Sequence, residues 1–181
     1  MIVAPKSKLL KQRQGNAPTI VQILPAMVRG GVERGTVEMA DAIQKHGGRA
    51  IVISRGGPMV RHLDRLGATH YQLDVHTKNP FRWPQVRSRL KAILSRENAD
   101  LVHVRSRVPA WIALPAAAAL GIATVSTVHG RFIALSALKR IYNRKLLKTD
   151  HVIAISNHVK DLITRQYVDV EERLTVVHRG V

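Results

Sequence analysis

Cysteine is absent from the 181 residues. Disulfides and thiolate-ligated metal centres are therefore excluded. Aromatic residues make up 4% of the chain, which leaves little to stack on nucleic-acid bases. Acidic residues are scarce, with 12 Asp and Glu against 29 Lys and Arg. They do not form the paired carboxylates at strand ends that glycoside hydrolysis requires. No apolar run reaches membrane-spanning length, and the weakly polar stretch around residues 116–119 is interrupted by Pro109 and Pro115. The nine histidines show no zinc-protease spacing, so no metal site is expected.

What the chain does have is positive charge, a formal +17. Such a balance selects anionic partners: nucleic acid, an acidic membrane surface or phosphorylated substrates. Its length suits one domain with a good core. Residues 1–18 are basic and lack a long apolar core. They read as a flexible arm rather than a secretory signal or an anchor.

From residue 19 the pattern alternates. An apolar run at 20–24 predicts a buried strand. Gly30 and Gly31 follow, then a helical stripe of Val32, Thr36, Met39, Ala40 and Ile43, closed by Gly47 and Gly48. Further strands are expected at 49–54, 69–73, 99–104, 123–128, 151–155 and 174–177. Helices are expected at 59–66, around 84–94, at 109–120 and 135–147, and after Ser156, a good N-cap. Short apolar strands alternating with helices predict an α/β, doubly wound, mostly parallel sheet with helices on both faces. Ligands in such sheets sit at the carboxyl ends of the strands. The residues to weigh there are Gly30, Gly31, Ser54, Arg55, Arg105 to Arg107, His129 to Arg131, and Ser156 to His158.

The glycine turn matches no nucleotide fingerprint. Gly30, Gly31 and Gly35 do not make G-x-G-x-x-G, and Ser54-Arg55 stands where an acidic residue is needed. Gly30 and Gly35 have P-loop spacing, but Thr36 replaces the lysine. What remains is a turn that lets backbone approach a diphosphate closely, or a tight turn without a ligand.

The motif order nevertheless resembles a known family. RGGVERGTVEMADAI resembles the opening glycine element of family 4 glycosyltransferases of the GT-B fold. VHVRSRVPAW, STVHGRF, LKRIYNRKLLKTDHVIAIS and TVVHRGV resemble successive later segments of the same amino-terminal domain, in order. The resemblance covers about residues 18–181, and bacterial lipopolysaccharide-core enzymes are the nearest type. It implies a Rossmann-like acceptor-side domain over residues 19–181, facing a carboxyl-terminal donor domain that lies outside this sequence. It implies sugar transfer from a nucleotide sugar to a lipid-linked or saccharide acceptor in cell-envelope glycan synthesis, with retention and without a metal or other cofactor. The 181 residues alone are then expected to be inactive.

By the same resemblance Gly30 and Gly31 would bind the donor diphosphate, and His129 would be the catalytic residue, stabilising charge or positioning substrate. Arg105, Ser106 and Arg107 follow the fourth strand, and two guanidinium groups around a hydroxyl suit an anionic acceptor group. Arg131 joins them as the neighbour of His129. Trp111 reads as core packing before sugar stacking.

In the fifth helix Leu138, Ile141, Tyr142 and Leu146 share one side, while Lys139, Arg140, Arg144, Lys145 and Lys148 spread over the rest. Lys139, Arg140, Arg144 and Lys145 are expected to face an anionic membrane, each basic residue contributing about 1 kcal/mol near the surface. This places the protein in the cytoplasm, peripheral on the inner face of the cytoplasmic membrane. Charge alone also fits a second reading, a non-catalytic basic Rossmann-like module that binds anionic polymer or nucleic acid. No nucleic-acid motif supports a specific nucleic-acid partner.

Overall fold

The computed structural model describes residues 17–130 and 132–178. Seven strands form one sheet, and every pairing is parallel. They are β1 (Thr19–Ile23), β2 (Arg49–Ser54), β3 (Thr69–Gln72), β4 (Leu101–Val104), β5 (Ala123–Val128), β6 (His151–Ala154) and β7 (Leu174–Val176). Their order is β3-β2-β1-β4-β5-β6-β7, so the chain winds outward in both directions from β1 and β4. The helices are α1 (Gly31–Lys45), α2 (Val60–Arg65), α3 (Trp83–Arg96), α4 (Arg107–Ala118), α5 (Ala137–Arg144) and α6 (Asn157–Thr164). Short 3-10 segments at Pro80–Arg82 and Val168–Arg173 complete the described residues. The expected doubly wound fold is present, with strand limits within two residues of the sequence reading.

Right-handed crossovers put helices on opposite faces when the chain moves in opposite directions. On one face, Ala40 and Ile43 of α1 and Leu63 of α2 pack on Leu24, Ala50 and Val52. On the other, α3, α4 and α6 bury Leu90, Leu94, Ile112, Ala113 and Ile163 against Val21, Ile23, Val102, Val104 and Val152. The strand side chains facing the second set are buried from β2 across to β6, while on the edge strands Thr69 is exposed and Tyr71 and Val176 are half-buried.

The first face is covered only in part. Register aligns Gln22, His103, Val125 and His151 in one row, and Thr127, Ile153 and Thr175 in the next. Gln22 Nε2 donates to the Thr36 carbonyl of α1 at 3.1 Å, which identifies this as the α1 face. Beyond α1, Val125 and Ile153 are only half-buried, and His151 and Thr175 are exposed. Met39, expected inside, is 39% exposed at this same margin.

Two loops at the carboxyl edge are knitted together. Met27 N–H donates to Gly56 O (2.9 Å), Met59 N–H to Met27 O (2.8 Å) and Arg55 N–H to Pro25 O (3.1 Å). Gly57 has φ +144, and a Cβ there would lie 2.6 Å from the Met27 carbonyl carbon. The glycine requirement after β2 is thus steric as well as conformational.

Candidate functional site

The two edges of the sheet differ in charge. At the amino edge, carboxylates are engaged by the protein itself. Asp100 accepts from Thr19 N–H at 2.8 Å, and Asp150 accepts from Thr124 N–H and Oγ1, each at 2.8 Å. Glu97 takes Arg49 and the Tyr71 hydroxyl, both at 2.6 Å. The carboxyl edge carries Arg55, His76, Arg105, Arg107 and His129, and two adjoining cavities open there; a cavity of about 330 Å³ at the amino edge is lined by the engaged Glu97 and Asp100.

The larger cavity has a volume of about 380 Å³ and lies between the loops after β3, β4 and β5 and the helix α5. His76, Arg105, Ser106, Arg107, His129 and Tyr142 supply its polar groups, and among the described residues no Asp or Glu lines it. The second, about 250 Å³, opens on the α1 face under Met39, Ile153, Ile155 and Val177. Arg105, Thr127 and His129 line both, so they form the partition between them.

Each polar group is set by the element before it. Arg105 N–H donates to Ile23 O at 3.0 Å, continuing the β1–β4 ladder one step past the strand. Its side chain follows the alternation of β4 onto the α1 face and is 6% exposed. Ser106 occupies the N-cap of α4 with extended backbone, yet its hydroxyl makes no cap hydrogen bond. Ser136 and Ser156 do cap α5 and α6, accepting from Lys139 N–H and Val159 N–H at 3.2 Å. Arg107 places its guanidinium 5.1 Å from the Phe132 ring centre.

His103, which sequence reasoning passed over, lines the second cavity beside this partition. It is buried, and its Nε2 lies 2.7 Å from Thr127 Oγ1. Burial holds its pKa well below the ordinary value, and the charges of Arg105 and His129 push the same way. His76 was also missed. It sits in a loop with no periodicity, and burial and then Arg55 hold its pKa down, with Asp74 opposing. The signal available for His103 was a histidine interrupting the apolar strand LVHV, two residues before Arg105 on the same face.

The predicted residues separate into groups. Arg105, Ser106, Arg107 and His129 converge on one cavity. Gly30 and Gly31 sit at the start of α1 and line neither cavity. The Glu33 side chain folds back over Gly30, where a Cβ would meet Oε2 at 2.6 Å. Arg131 lies outside the described residues, as do residues 1–16 of the expected arm and residues 179–181.

The four cations expected to face a membrane differ in exposure. Lys145 is half-buried. Its ammonium lies 5.4 Å from the Trp111 ring centre, and burial, with Lys148 and Arg87 adding, lowers its pKa. Trp111 in turn pairs with Trp83 at 5.9 Å between ring centres. Arg144 is exposed but bridges Asp169 at 2.8 Å. Lys139 and Arg140 are exposed. Apolar side chains of α5 are not covered either, with Leu138 80% and Ile141 60% exposed, and Leu135 just before the helix is 96% exposed.

The family model for glycosyltransferase family 4 matches residues 29–181. The chain belongs to that family. A glycosyltransferase from Rickettsia africae is 37% identical, with TM-score 0.81 over 92% of this chain and 44% of that one. Anabaena HepE, solved with UDP-glucose, is 16% identical with TM-score 0.74, over 90% and 44%. Sucrose-phosphate synthase from Thermosynechococcus elongatus is 14% identical with TM-score 0.68, over 91% and 48%. The last two share the fold, the Rossmann-like amino-terminal half of GT-B. The chain spans less than half the length of each of the three. A comparison with curated proteins finds no match.

Proposed function

We propose that this chain forms the acceptor-side wall of a glycosyltransferase that uses a nucleotide-sugar donor. The observation that carries the reading is the convergence of Arg105, Ser106, Arg107 and His129 on one open cavity at the carboxyl edge of the sheet. Family membership supplies the reaction class. HepE, a fold relative, was solved with UDP-glucose, which supports a donor of that kind.

In this reading the half-site works by positioning and electrostatics. His129, on the partition between two cavities, reaches an oxygen of the acceptor or of the sugar and holds charge there. Arg105 and Arg107 fix the acceptor. The start of α1 offers backbone N–H groups to the diphosphate, once Glu33 swings off Gly30. The outcome is retention at the sugar, with no metal or cofactor needed from these residues.

The acceptor is lipid-linked or a saccharide of the cell envelope, and the enzyme meets it at an anionic membrane. Support comes from α5, where exposed Leu138 and Ile141 stand beside Lys139 and Arg140, with exposed Leu135 just before the helix. Aliphatic side chains in the company of cations suit an interfacial helix. None of the described helices is long and apolar enough to cross a membrane.

The direct test is acceptor-dependent release of nucleoside diphosphate by the full-length protein with a panel of nucleotide sugars. His129→Ala is expected to lower turnover about 10²-fold, with the thermal midpoint unchanged. Unchanged turnover removes His129 from the reaction. Flotation with anionic vesicles tests docking, where the double variant Leu138→Ser, Ile141→Ser is expected to stay at the bottom of the gradient. Equal flotation with neutral vesicles overturns the membrane reading. Salt-sensitive binding to random nucleic acid, with no sugar transfer, would favour the basic-module alternative.

A further inference from the structure

The larger cavity has a cationic lining, and α5 beside it carries exposed apolar side chains. Its lining includes Arg105, Arg107, His76 and His129 and, among the described residues, no carboxylate. His76 Nδ1 is buried without a hydrogen-bond partner. Arg55 and Lys78 add to the positive field at His76, and Asp74 is the one acidic group acting on it. The Ser106 hydroxyl leaves the first N–H groups of α4 uncapped beside the same lining. Tyr142 and Leu146 line the side toward α5; Leu138, one turn before Tyr142 on the same side of the helix, and Ile141 are exposed.

A neutral sugar gains nothing from this positive field, and a carboxylate has only two oxygens. A phosphate ester offers three or more acceptor oxygens and one to two negative charges, matching a guanidinium, an imidazole and a helix N-terminus at once. We propose that the acceptor is a phosphate ester, its phosphate held by Arg107 and His76 beside His129, with any hydrocarbon it carries laid along Leu138 and Ile141. This rests on the acceptor-side reading above and adds the acceptor's chemical class. His76 becomes a specificity-determining residue: a neutral acceptor gains nothing from it. A lipid-borne phosphate and a soluble sugar phosphate share this chemistry and differ only in their use of the α5 ridge.

The test is binding to the full-length protein without donor, by calorimetry, using dodecyl phosphate below its micelle concentration, glucose 6-phosphate and neutral dodecyl glucoside. Both phosphates are expected to bind, and the glucoside at least tenfold more weakly than dodecyl phosphate. Arg107→Gln and His76→Gln should each weaken both phosphates about tenfold, with Arg107→Lys restoring part of the loss. Each variant's thermal midpoint shows whether it has folded, and His76→Gln, in a surface loop, keeps the test alive if Arg107→Gln unfolds.

The two sources separate on Leu138→Ser, Ile141→Ser. A loss confined to dodecyl phosphate assigns a lipid-borne phosphate, and equal binding of both phosphates, unchanged in this variant, assigns a soluble one. The proposal falls if the glucoside binds as tightly as dodecyl phosphate. It also falls if folded His76→Gln and Arg107→Gln bind phosphate as the parent does. Because no donor is present, that failure leaves glycosyl transfer standing, and a protein that binds phosphate but transfers no sugar fails the other way.

Discussion

His103 and Thr127 meet across β4 and β5 at 2.7 Å, the imidazole Nε2 against the hydroxyl, beside the cavity partition. This pair joins a buried titratable group to the residue that, with Arg105 and His129, separates the two cavities. An imidazole held neutral there adds no positive charge beside Arg105.

That neutrality has a pH cost with a definite sign. The pKa of His103 is lowered in the folded state by burial, then by Arg105 and His129. Those of His70 and His76 are lowered as well, chiefly by burial. In the unfolded chain these groups titrate near 6.5, so below that pH the unfolded state binds more protons and gains relative stability. Stability is therefore expected to be full above about pH 7 and to decline as pH falls through about 6.5 toward 5. Thermal midpoints across that range check it. His103→Gln should lower the midpoint at pH 7 and flatten the acid slope.

Gly57 is expected to be intolerant. With φ +144 and the Met27 carbonyl carbon 2.6 Å from where a Cβ would stand, Gly57→Ala carries backbone strain of about 1–3 kcal/mol plus a backbone clash. Gly121 also has positive φ, but nothing lies within 4 Å, so Gly121→Ala should cost only about 1 kcal/mol. Urea unfolding of the two variants separates them. Equal losses would mean that the loops after β1 and β2 are free to part.

Gly30 is expected to behave in the opposite way. Its backbone is extended, at φ 172, a conformation any residue adopts. A Cβ would meet only the far end of Glu33, which can swing aside. Gly30→Ala should leave the urea midpoint within about 0.5 kcal/mol of the parent while raising KM for the nucleotide sugar several-fold. A normal donor KM in the full-length protein removes the diphosphate role of this turn.

The strands were legible because a buried parallel sheet needs continuous apolar runs, and RAIVIS and ATVSTV supply them over the same residues the structure assigns. The end of α1 was legible because Gly47, at φ 78, takes the left-handed conformation that stops a helix. The carboxyl edge was legible as a place where a cavity opens, and Arg105, Ser106, Arg107 and His129, singled out from the sequence, line it. Periodicity failed where it gives a stripe without saying what covers it. Leu138 and Ile141 make an apolar side in α5 that faces solvent, and Met39 extends the α1 stripe past the last strand that α1 covers. His76 lies in a loop, where no spacing rule assigns a direction to a side chain.

Winding outward from β1 and β4 gives the two halves of the sheet different needs. β1 and β2 carry a helix on each side. The half built from β5 to β7 presents Val125, Ile153 and Val177 to solvent on the α1 side, with no helix of the described residues over them. A single layer of helix under that half leaves it greasy on its free side. In handling, this chain would be kept in solution by its surplus of cations and drawn through that bare face to apolar surfaces.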